Sequence, residues 1–175
     1  MNSLASFLPK ADHISYDEVP FVSFMEGVDL QLLHADVESG LWVVRTRMAP
    51  GVSIPTHKHT GEVFAVTSSG SWRYLEYPEI NTIGSYLYEP AGSVHTLYAL
   101  ESNVGLTEVW FAIRGANLNL DEEGKVDSVW DAGYILNEYL RICKEEGHDY
   151  MKIVGQIFES KSYLSDYFVI DAKLY

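Results

Sequence analysis

Three histidines in the sequence have the residue type and spacing of a metal-binding site. His57 and His59 are two residues apart, and His95 lies in a second, β-prone run of apolar residues. If the segment that contains His57 and His59 is a strand, alternate side chains point to the same face of the sheet, so both imidazoles lie on that face. Neutral imidazole is a ligand for Zn, Fe, Ni and Cu. We therefore predict that His57, His59 and His95 converge from neighbouring strands on one metal ion.

A site made of three neutral histidines has a distinct chemistry. The ligands leave the +2 charge of the metal uncompensated and leave coordination positions open. Ferrous oxygenases use facial sites with open positions, although the commonest version has two histidines and one carboxylate. A site without the carboxylate should attract an anionic, chelating substrate, such as an enolate with a neighbouring oxygen.

Two glutamates near these histidines are candidate catalytic residues. Glu89 lies six residues before His95 and is predicted to face the cavity, as a base or as a partner of a ligand. The alternative is an exposed carboxylate at the end of a strand. Glu108 lies inside an apolar strand, where a buried carboxylate needs a partner. That partner is either a histidine of the site or one of the arginines Arg45, Arg47 and Arg73.

The histidines must be positioned by strands, because the middle of the chain has the pattern of β-structure. Val28–Asp36 and Leu41–Met48 are rich in apolar, β-branched and aromatic residues, as half-buried strands are. Further short strands follow at intervals of roughly eight to twelve residues, each ended by a turn signal. This pattern predicts an all-β sandwich or barrel.

The two ends of the chain differ from this strand-rich middle. Residues 1–27 form an arm with little periodicity, which either completes its own sheet or crosses to a partner subunit. Residues 28–120 form the predicted barrel. Residues 121–175 are predicted to be a helix and a tail that pack on the barrel or on a partner subunit.

The C-terminal part is expected to be mainly helical. The chain is polar and acidic over Asn117–Asp131. Apolar residues then recur at helical spacing over Tyr134–Glu146, and Gly147 is placed to end that helix. Beyond it, Met151–Phe158 is a candidate for further helix and Tyr167–Ile170 for a strand.

Composition excludes several classes of partner. The chain has 175 residues, enough for one domain with a core, and a formal charge of −13. Such an acidic chain should repel nucleic acid and anionic membrane surfaces. No apolar run approaches the roughly 20 residues of a membrane helix. The single cysteine, Cys143, excludes an internal disulfide framework and predicts a cytoplasmic protein.

The glycines and histidines together resemble the two sequence motifs of the cupins. The first motif matches Gly51, His57, His59, Glu62 and Gly70, and the second matches Gly84, Pro90, Gly92 and His95. The glutamate of the first motif usually stands where this chain has Val63, and Glu62 is one residue too early. We therefore expect a three-histidine site, with Glu62 as an alternative fourth ligand. The resemblance implies a jelly-roll barrel, the double-stranded β-helix of cupins.

Within the cupins, several short segments of this sequence are similar to those of one branch. The runs RMAPG, HTGEVFAVTSSGSWRYLEYP and GSYLYEPAGSVHTL resemble 2,4′-dihydroxyacetophenone dioxygenase and acetylacetone-cleaving enzymes. The resemblance covers roughly residues 42–115. It implies a non-haem Fe(II) enzyme that cleaves a C–C bond of a small enolisable ketone with O2, the ligands being the three histidines. Zn, Ni and Mn are alternative metals, and cupins are commonly homodimers.

Two other functions remain open from the sequence. One is a non-catalytic cupin that binds a metal, such as Zn, or a ligand and acts as a sensor or regulator. The other is a metal-dependent isomerase or lyase, which would turn over without O2. A set of aromatic residues either lines a pocket for an aromatic substrate or forms barrel core or dimer interface: Trp72, Tyr74, Tyr86, Tyr88, Tyr98 and Trp110.

Overall fold

The computed structural model describes residues 11–148 and 152–155 and shows a mainly β protein with one C-terminal helix. The first six strands are β1 (Val22–Met25), β2 (Val28–Asp36), β3 (Leu41–Met48), β4 (Ser53–His59), β5 (Val63–Ser69) and β6 (Ser71–Tyr74). The next six are β7 (Asn81–Thr82), β8 (Tyr86–Glu89), β9 (Val94–Ala99), β10 (Thr107–Arg114), β11 (Asn117–Leu120) and β12 (Val126–Trp130). Helix α1 spans Ala132–Glu145.

The strands form two antiparallel sheets of six strands each. One sheet has the order β1-β2-β3-β10-β5-β8, and the other has the order β12-β11-β4-β9-β6-β7. Strands that are neighbours in a sheet are mostly distant in sequence, because the chain passes repeatedly from one sheet to the other. This is the jelly-roll architecture, so the predicted fold class is confirmed, and β2 and β3 have the predicted bounds.

Two strands lie in the polar run for which the sequence indicated no strand. Strand β11 directs Asn117 and Asn119 to its buried face and Leu118 and Leu120 to the less buried one, so the usual placement of apolar residues inside and polar residues outside is reversed. Strand β12 is at the edge of its sheet and is largely exposed, so it needs few apolar residues. Composition alone therefore predicts too few strands for the sheet that carries the histidines.

The helix packs its apolar face on the barrel as its spacing predicts. Its buried residues are Ala132, Ile135, Leu136, Tyr139, Ile142 and Cys143. Asp131 caps the first turn by accepting the Tyr134 N–H at 2.8 Å. The Tyr139 hydroxyl donates to the Pro20 carbonyl at 2.7 Å and so fixes the helix against the N-terminal segment. Gly147, with a φ of 81°, follows the last turn.

The ends of the described chain add to the first sheet. Strand β1 belongs to the N-terminal arm and pairs with β2 of the same chain. In the segment 152–155, Val154 forms a parallel bridge with His34, so this part of the candidate helix Met151–Phe158 is not helical. The candidate strand Tyr167–Ile170 lies outside the described residues. Within the described residues, no helix combines the length and the apolar character of a membrane span.

Candidate metal centre

The three histidines are placed by two neighbouring strands of the second sheet. In the antiparallel pair of β4 and β9, His57 lies directly opposite His95. His59 shares the inner face of β4 with His57, since the intervening Lys58 is exposed. All three side chains are buried, and one ring nitrogen from each lies within 4.8 Å of the others. The structure thus brings the predicted ligands together between the sheets.

A carboxylate from the other sheet joins the histidines. Glu89 ends strand β8 and is 3% exposed, so the alternative of an exposed strand-end carboxylate is wrong. Its Oε2 lies 2.7 Å from His59 Nε2 and 3.2 Å from His95 Nε2. Those two ring nitrogens are 3.1 Å apart. The Tyr74 hydroxyl donates to Glu89 Oε1, and the Tyr74 ring stacks on His95 at 3.8 Å between centroids.

Glu89 lies beside the position at which this chain lacks the usual glutamate of the cupin motif. Glu89 lies directly opposite Val63 in the pair of β8 and β5. Directly opposite residues of an antiparallel pair point to the same face of the sheet. The carboxylate that the motif usually places at the Val63 position is therefore supplied by the neighbouring strand. Sequence spacing does not reveal this exchange, because it depends on the register of two strands.

The protonation states suit metal binding. Burial lowers the pKa of His57 to about 4, so this imidazole is neutral at pH 7. Its Nδ1–H donates to the Pro55 carbonyl at 2.7 Å, which leaves the Nε2 lone pair free. Burial by itself would raise the pKa of Glu89, but hydrogen bonds and charge from His59 and His95 outweigh it, so that pKa lies below its ordinary value. Glu89 is therefore an ionised carboxylate.

Tyr74 completes this cluster as a hydrogen-bond donor. Burial, together with the neighbouring carboxylate of Glu89, raises the pKa of Tyr74 well above its ordinary value. The phenol thus stays protonated and donates to Glu89 Oε1. Since the other carboxylate oxygen faces His59 and His95, the tyrosine fixes which oxygen points at the histidines.

The cluster forms part of the wall of a mostly apolar cavity. The space open to the centre of a water molecule is about 70 Å³. Apart from His57, His59, Tyr74 and Glu89, the wall is formed mainly by aliphatic and aromatic side chains. Within the described part of the chain, no Lys or Arg lines it. The ionised Glu89 therefore has no basic side chain beside it in the cavity.

The aromatic lining differs from the set considered from the sequence. Of those six residues, only Tyr74 lines the cavity, while Tyr86 and Tyr88 are 64% and 52% exposed. Trp72 is fully buried in the core and donates to the Thr67 hydroxyl. The lining aromatics are Phe24, Trp42, Tyr74, Phe111 and Trp130. Phe24, Trp42, Phe111 and Trp130 were not predicted as lining residues, because all four lie outside the two histidine motifs.

The donor set fits a divalent metal ion. A buried carboxylate without a cationic partner is costly, and among the described residues no Lys or Arg lines the cavity to supply one. Ligand atoms about 2.1 Å from a metal and at right angles to each other lie about 3.0 Å apart. The contacts among Glu89 Oε2, His59 Nε2 and His95 Nε2, at 2.7–3.2 Å, have this spacing. A divalent cation would thus be held by His59 and His95, with His57 as the third histidine of the cluster and with Glu89 Oε2 spaced as a further ligand.

The other two glutamates lie away from the histidines. Glu62 pairs with Arg114 at 3.2 Å, with 38% of its side chain exposed, so it is not positioned as a fourth ligand. Glu108 alternates with the inward-facing Val109 on β10 and points to the other side of the sheet. Its carboxylate pairs with Arg47 at 2.9 Å and accepts a hydrogen bond from the Tyr16 hydroxyl. Of the two alternatives for Glu108, the structure shows the pairing with an arginine, Arg47, so Glu108 does not join the histidines as a candidate catalytic residue.

Glu108→Gln is expected to affect stability and not the metal centre. The glutamate holds Arg47, whose guanidinium lies 3.7 Å from the centroid of the Phe21 ring, so the N-terminal segment is fixed here. Loss of the charge should lower the free energy of unfolding by about 1 kcal/mol. Urea denaturation measures this loss, and metal analysis should show an unchanged metal content. A lower metal content in this variant would show that Glu108 contributes to metal binding.

The comparisons with known proteins agree with this architecture. The family described as the ChrR cupin-like domain matches residues 9–113. The chain belongs to the ChrR cupin-like domain family. Among curated protein sequences, no match to this cupin is found.

Several solved structures share the fold of this cupin. A protein of unknown function with a cupin-like fold from Ralstonia eutropha is 34% identical, with 89% of this chain and 100% of that chain covered and a TM-score of 0.77. An RmlC-like cupin from the same organism is 23% identical, with 88% and 100% covered and a TM-score of 0.78. An acetylacetone dioxygenase from Acinetobacter johnsonii is 20% identical, with 77% and 93% covered and a TM-score of 0.67. The last two likenesses establish the fold alone.

Proposed function

We propose that this cupin is a metal-dependent dioxygenase that uses O2 to cleave a C–C bond in a small, enolisable ketone. The observation that carries the proposal is the meeting of three buried histidines and the buried carboxylate of Glu89 at the wall of an apolar cavity. When bound by His57, His59 and His95, Fe(II) would supply Lewis-acid stabilisation of an enolate and open positions for O2.

Glu89 is the proton acceptor in this proposal. A base must lie within hydrogen-bond reach of the proton that it removes and must be ionised beforehand. The carboxylate of Glu89 lines the cavity, and the Tyr74 hydroxyl fixes its orientation. The proton on the carbon next to the ketone passes to the carboxylate, and the electron pair of that C–H bond becomes the enolate. The apolar wall excludes water from this step.

The cavity favours a neutral, compact substrate. An ionised carboxylate and a lining without Lys or Arg among the described residues disfavour carboxylate and phosphate substrates. A volume of about 70 Å³ corresponds to a few water molecules, since one water needs about 10–15 Å³ by this measure. An aliphatic β-diketone therefore fits better than an aryl hydroxyketone. The fold likeness to an acetylacetone dioxygenase is consistent with this substrate class.

Oxygen consumption tests the proposal directly. The protein is freed of metal with a chelator, loaded anaerobically with Fe(II), and mixed with O2 and a panel of β-diketones and hydroxyketones. We expect O2 uptake in proportion to substrate, with small neutral diketones as the best substrates. If no member of a broad panel drives uptake by the iron-loaded protein, the dioxygenase proposal fails. Product formation without O2 would assign an isomerase or lyase instead.

A non-catalytic zinc site is the second candidate, and the position of Glu89 favours it. Three histidines and Glu89 together offer four donors, the number that closes a structural zinc site. Such a site has no open position for substrate. Metal analysis of protein purified without added metal separates the candidates. Tightly held zinc at full occupancy supports a regulator, whereas partial iron that is replenished by Fe(II) supports the enzyme.

A further inference from the structure

Four buried side-chain atoms have no hydrogen-bond partner among the described residues: His59 Nδ1, Glu89 Oε2, Ser93 Oγ and Asn117 Oδ1. Glu89 Oε2 faces the ring nitrogens of His59 and His95, whereas His59 Nδ1 and Asn117 Oδ1 point to a contact that is not made. His59 and Asn117 are 3% and 8% exposed, so bulk solvent does not reach them freely. An unsatisfied buried polar atom costs about 1–3 kcal/mol and calls for an explanation. Both atoms belong to residues of the second sheet, on the strands β4 and β11.

The two residues are direct neighbours across these strands. Asn117 lies opposite His59 in the antiparallel pair of β11 and β4, so both side chains point to the same face. Side chains opposite each other in such a pair have Cβ atoms about 4.5–5.5 Å apart. Asn117 also lines the cavity together with His59. The amide of Asn117 and the ring of His59 are therefore neighbours on the inner face of the sheet.

Metal binding supplies a reason for both unpaired atoms. His59 Nε2 is the ring nitrogen that faces Glu89 and His95, so it is the donor atom of the site. When Nε2 of a neutral imidazole holds a metal, the proton is on Nδ1, which is then a hydrogen-bond donor that needs an acceptor. We infer that Asn117 is a positioning residue of the metal centre, whose amide oxygen accepts the Nδ1–H of metal-bound His59.

The neighbouring pair on the same strands shows why only one asparagine has this role. The spacing of Asn117 and Asn119 on β11 repeats that of His59 and His57 on β4. His57 already donates its Nδ1–H to the Pro55 carbonyl at 2.7 Å. Asn119, opposite His57, donates its amide N–H to the Ser128 hydroxyl at 3.0 Å instead. His57 thus has a backbone acceptor, whereas His59 Nδ1 has none among the described residues and lies on the strand position opposite Asn117, whose Oδ1 is unpaired there as well.

This inference rests on the metal binding of the proposed function, and it is tested by metal affinity without any substrate. The probes are Zn²⁺, in competition with a chromophoric chelator, and Co²⁺, whose absorption spectrum reports ligand geometry. Asn117→Leu removes the acceptor at similar size and should weaken Zn²⁺ binding about 10–100-fold, with an altered Co²⁺ spectrum. Asn117→Asp keeps an acceptor and should bind at least as tightly as the parent protein.

Asn119→Leu is the matched control, because it removes the same group two residues away from a histidine that is already satisfied. Its Zn²⁺ affinity should stay within about threefold of the parent value. Parent-like affinity in Asn117→Leu would overturn the inference, as would equal losses in Asn117→Leu and Asn119→Leu. Loss of affinity in Asn117→Asp overturns it as well, even if the leucine variant does not fold. If the parent protein itself bound no metal, the proposed function would be contradicted instead.

Discussion

Replacing any one of the three histidines by alanine is expected to abolish stoichiometric metal binding. Each of His57, His59 and His95 contributes one nitrogen to a cluster within 4.8 Å, and the chain has no further His or Cys in that cluster among the described residues. Loss of a residue that only supports a ligand already weakens binding about 10–100-fold, so loss of a ligand should exceed that. Metal analysis after gel filtration and chelator competition measure the effect.

The stability of the protein should report the same loss. A metal that binds only the folded state stabilises it by about 2.7 kcal/mol at one hundred times its dissociation constant. Added Zn²⁺ or Fe²⁺ should therefore raise the melting temperature of the parent and leave that of each histidine variant unchanged. Because His95 is buried and stacked on Tyr74, the metal-free His95→Ala protein should itself unfold at a lower temperature.

His148→Ala serves as the control for this series. Its side chain is 39% exposed and contacts Glu146 after the end of the helix, on a different part of the molecule. Metal content and stabilisation by metal should both match the parent. A variant of His57, His59 or His95 that retains one metal per chain would remove the basis of the proposed function.

The histidines could be predicted from the sequence because their placement depends on local rules. A strand directs residues two apart to one face in any fold, so His57 and His59 needed only the prediction of strand β4. His95 required its glycine- and proline-containing motif, which fixes the strand that follows the turn. The apolar, β-branched and aromatic residues of β2 and β3 likewise predicted these two strands.

The remainder of the site depends on which strands become neighbours, and that is a long-range property. Glu89 reaches the histidines because β8 pairs with β5 at the edge of one sheet while β4 and β9 pair in the other. Asn117 lies opposite His59 only because the polar strand β11 joins β4. For Glu108 the sequence left a histidine and an arginine as alternative partners, and its side of the sheet faces Arg47. Register and sheet order, which single-chain patterns do not encode, decide all three cases.

Glu89→Gln is expected to have the largest effect on turnover among variants that keep the metal ligands. Glutamine has the size of glutamate and can still accept the hydrogen bond from Tyr74, but its amide cannot take a proton. Removal of a general base typically costs about 10²–10⁴-fold in rate. The variant also lacks the negative charge 2.7 Å from His59 Nε2, so metal affinity should fall as well. Oxygen uptake must therefore be measured at saturating Fe(II), where the metal effect is removed.

Glu108→Gln is the matched control for Glu89→Gln, because it makes the same chemical change in the same sheet at a carboxylate paired with Arg47. Its uptake rate at saturating Fe(II) should equal that of the parent. If Glu89→Gln turned over within about threefold of the parent under those conditions, proton removal would have to be assigned to another group. If Glu89→Gln binds the metal more weakly but the metal-loaded variant turns over at the parent rate, Glu89 would be identified as a ligand of the metal. In that case the substitution lowers the fraction of protein that holds metal and does not remove a base.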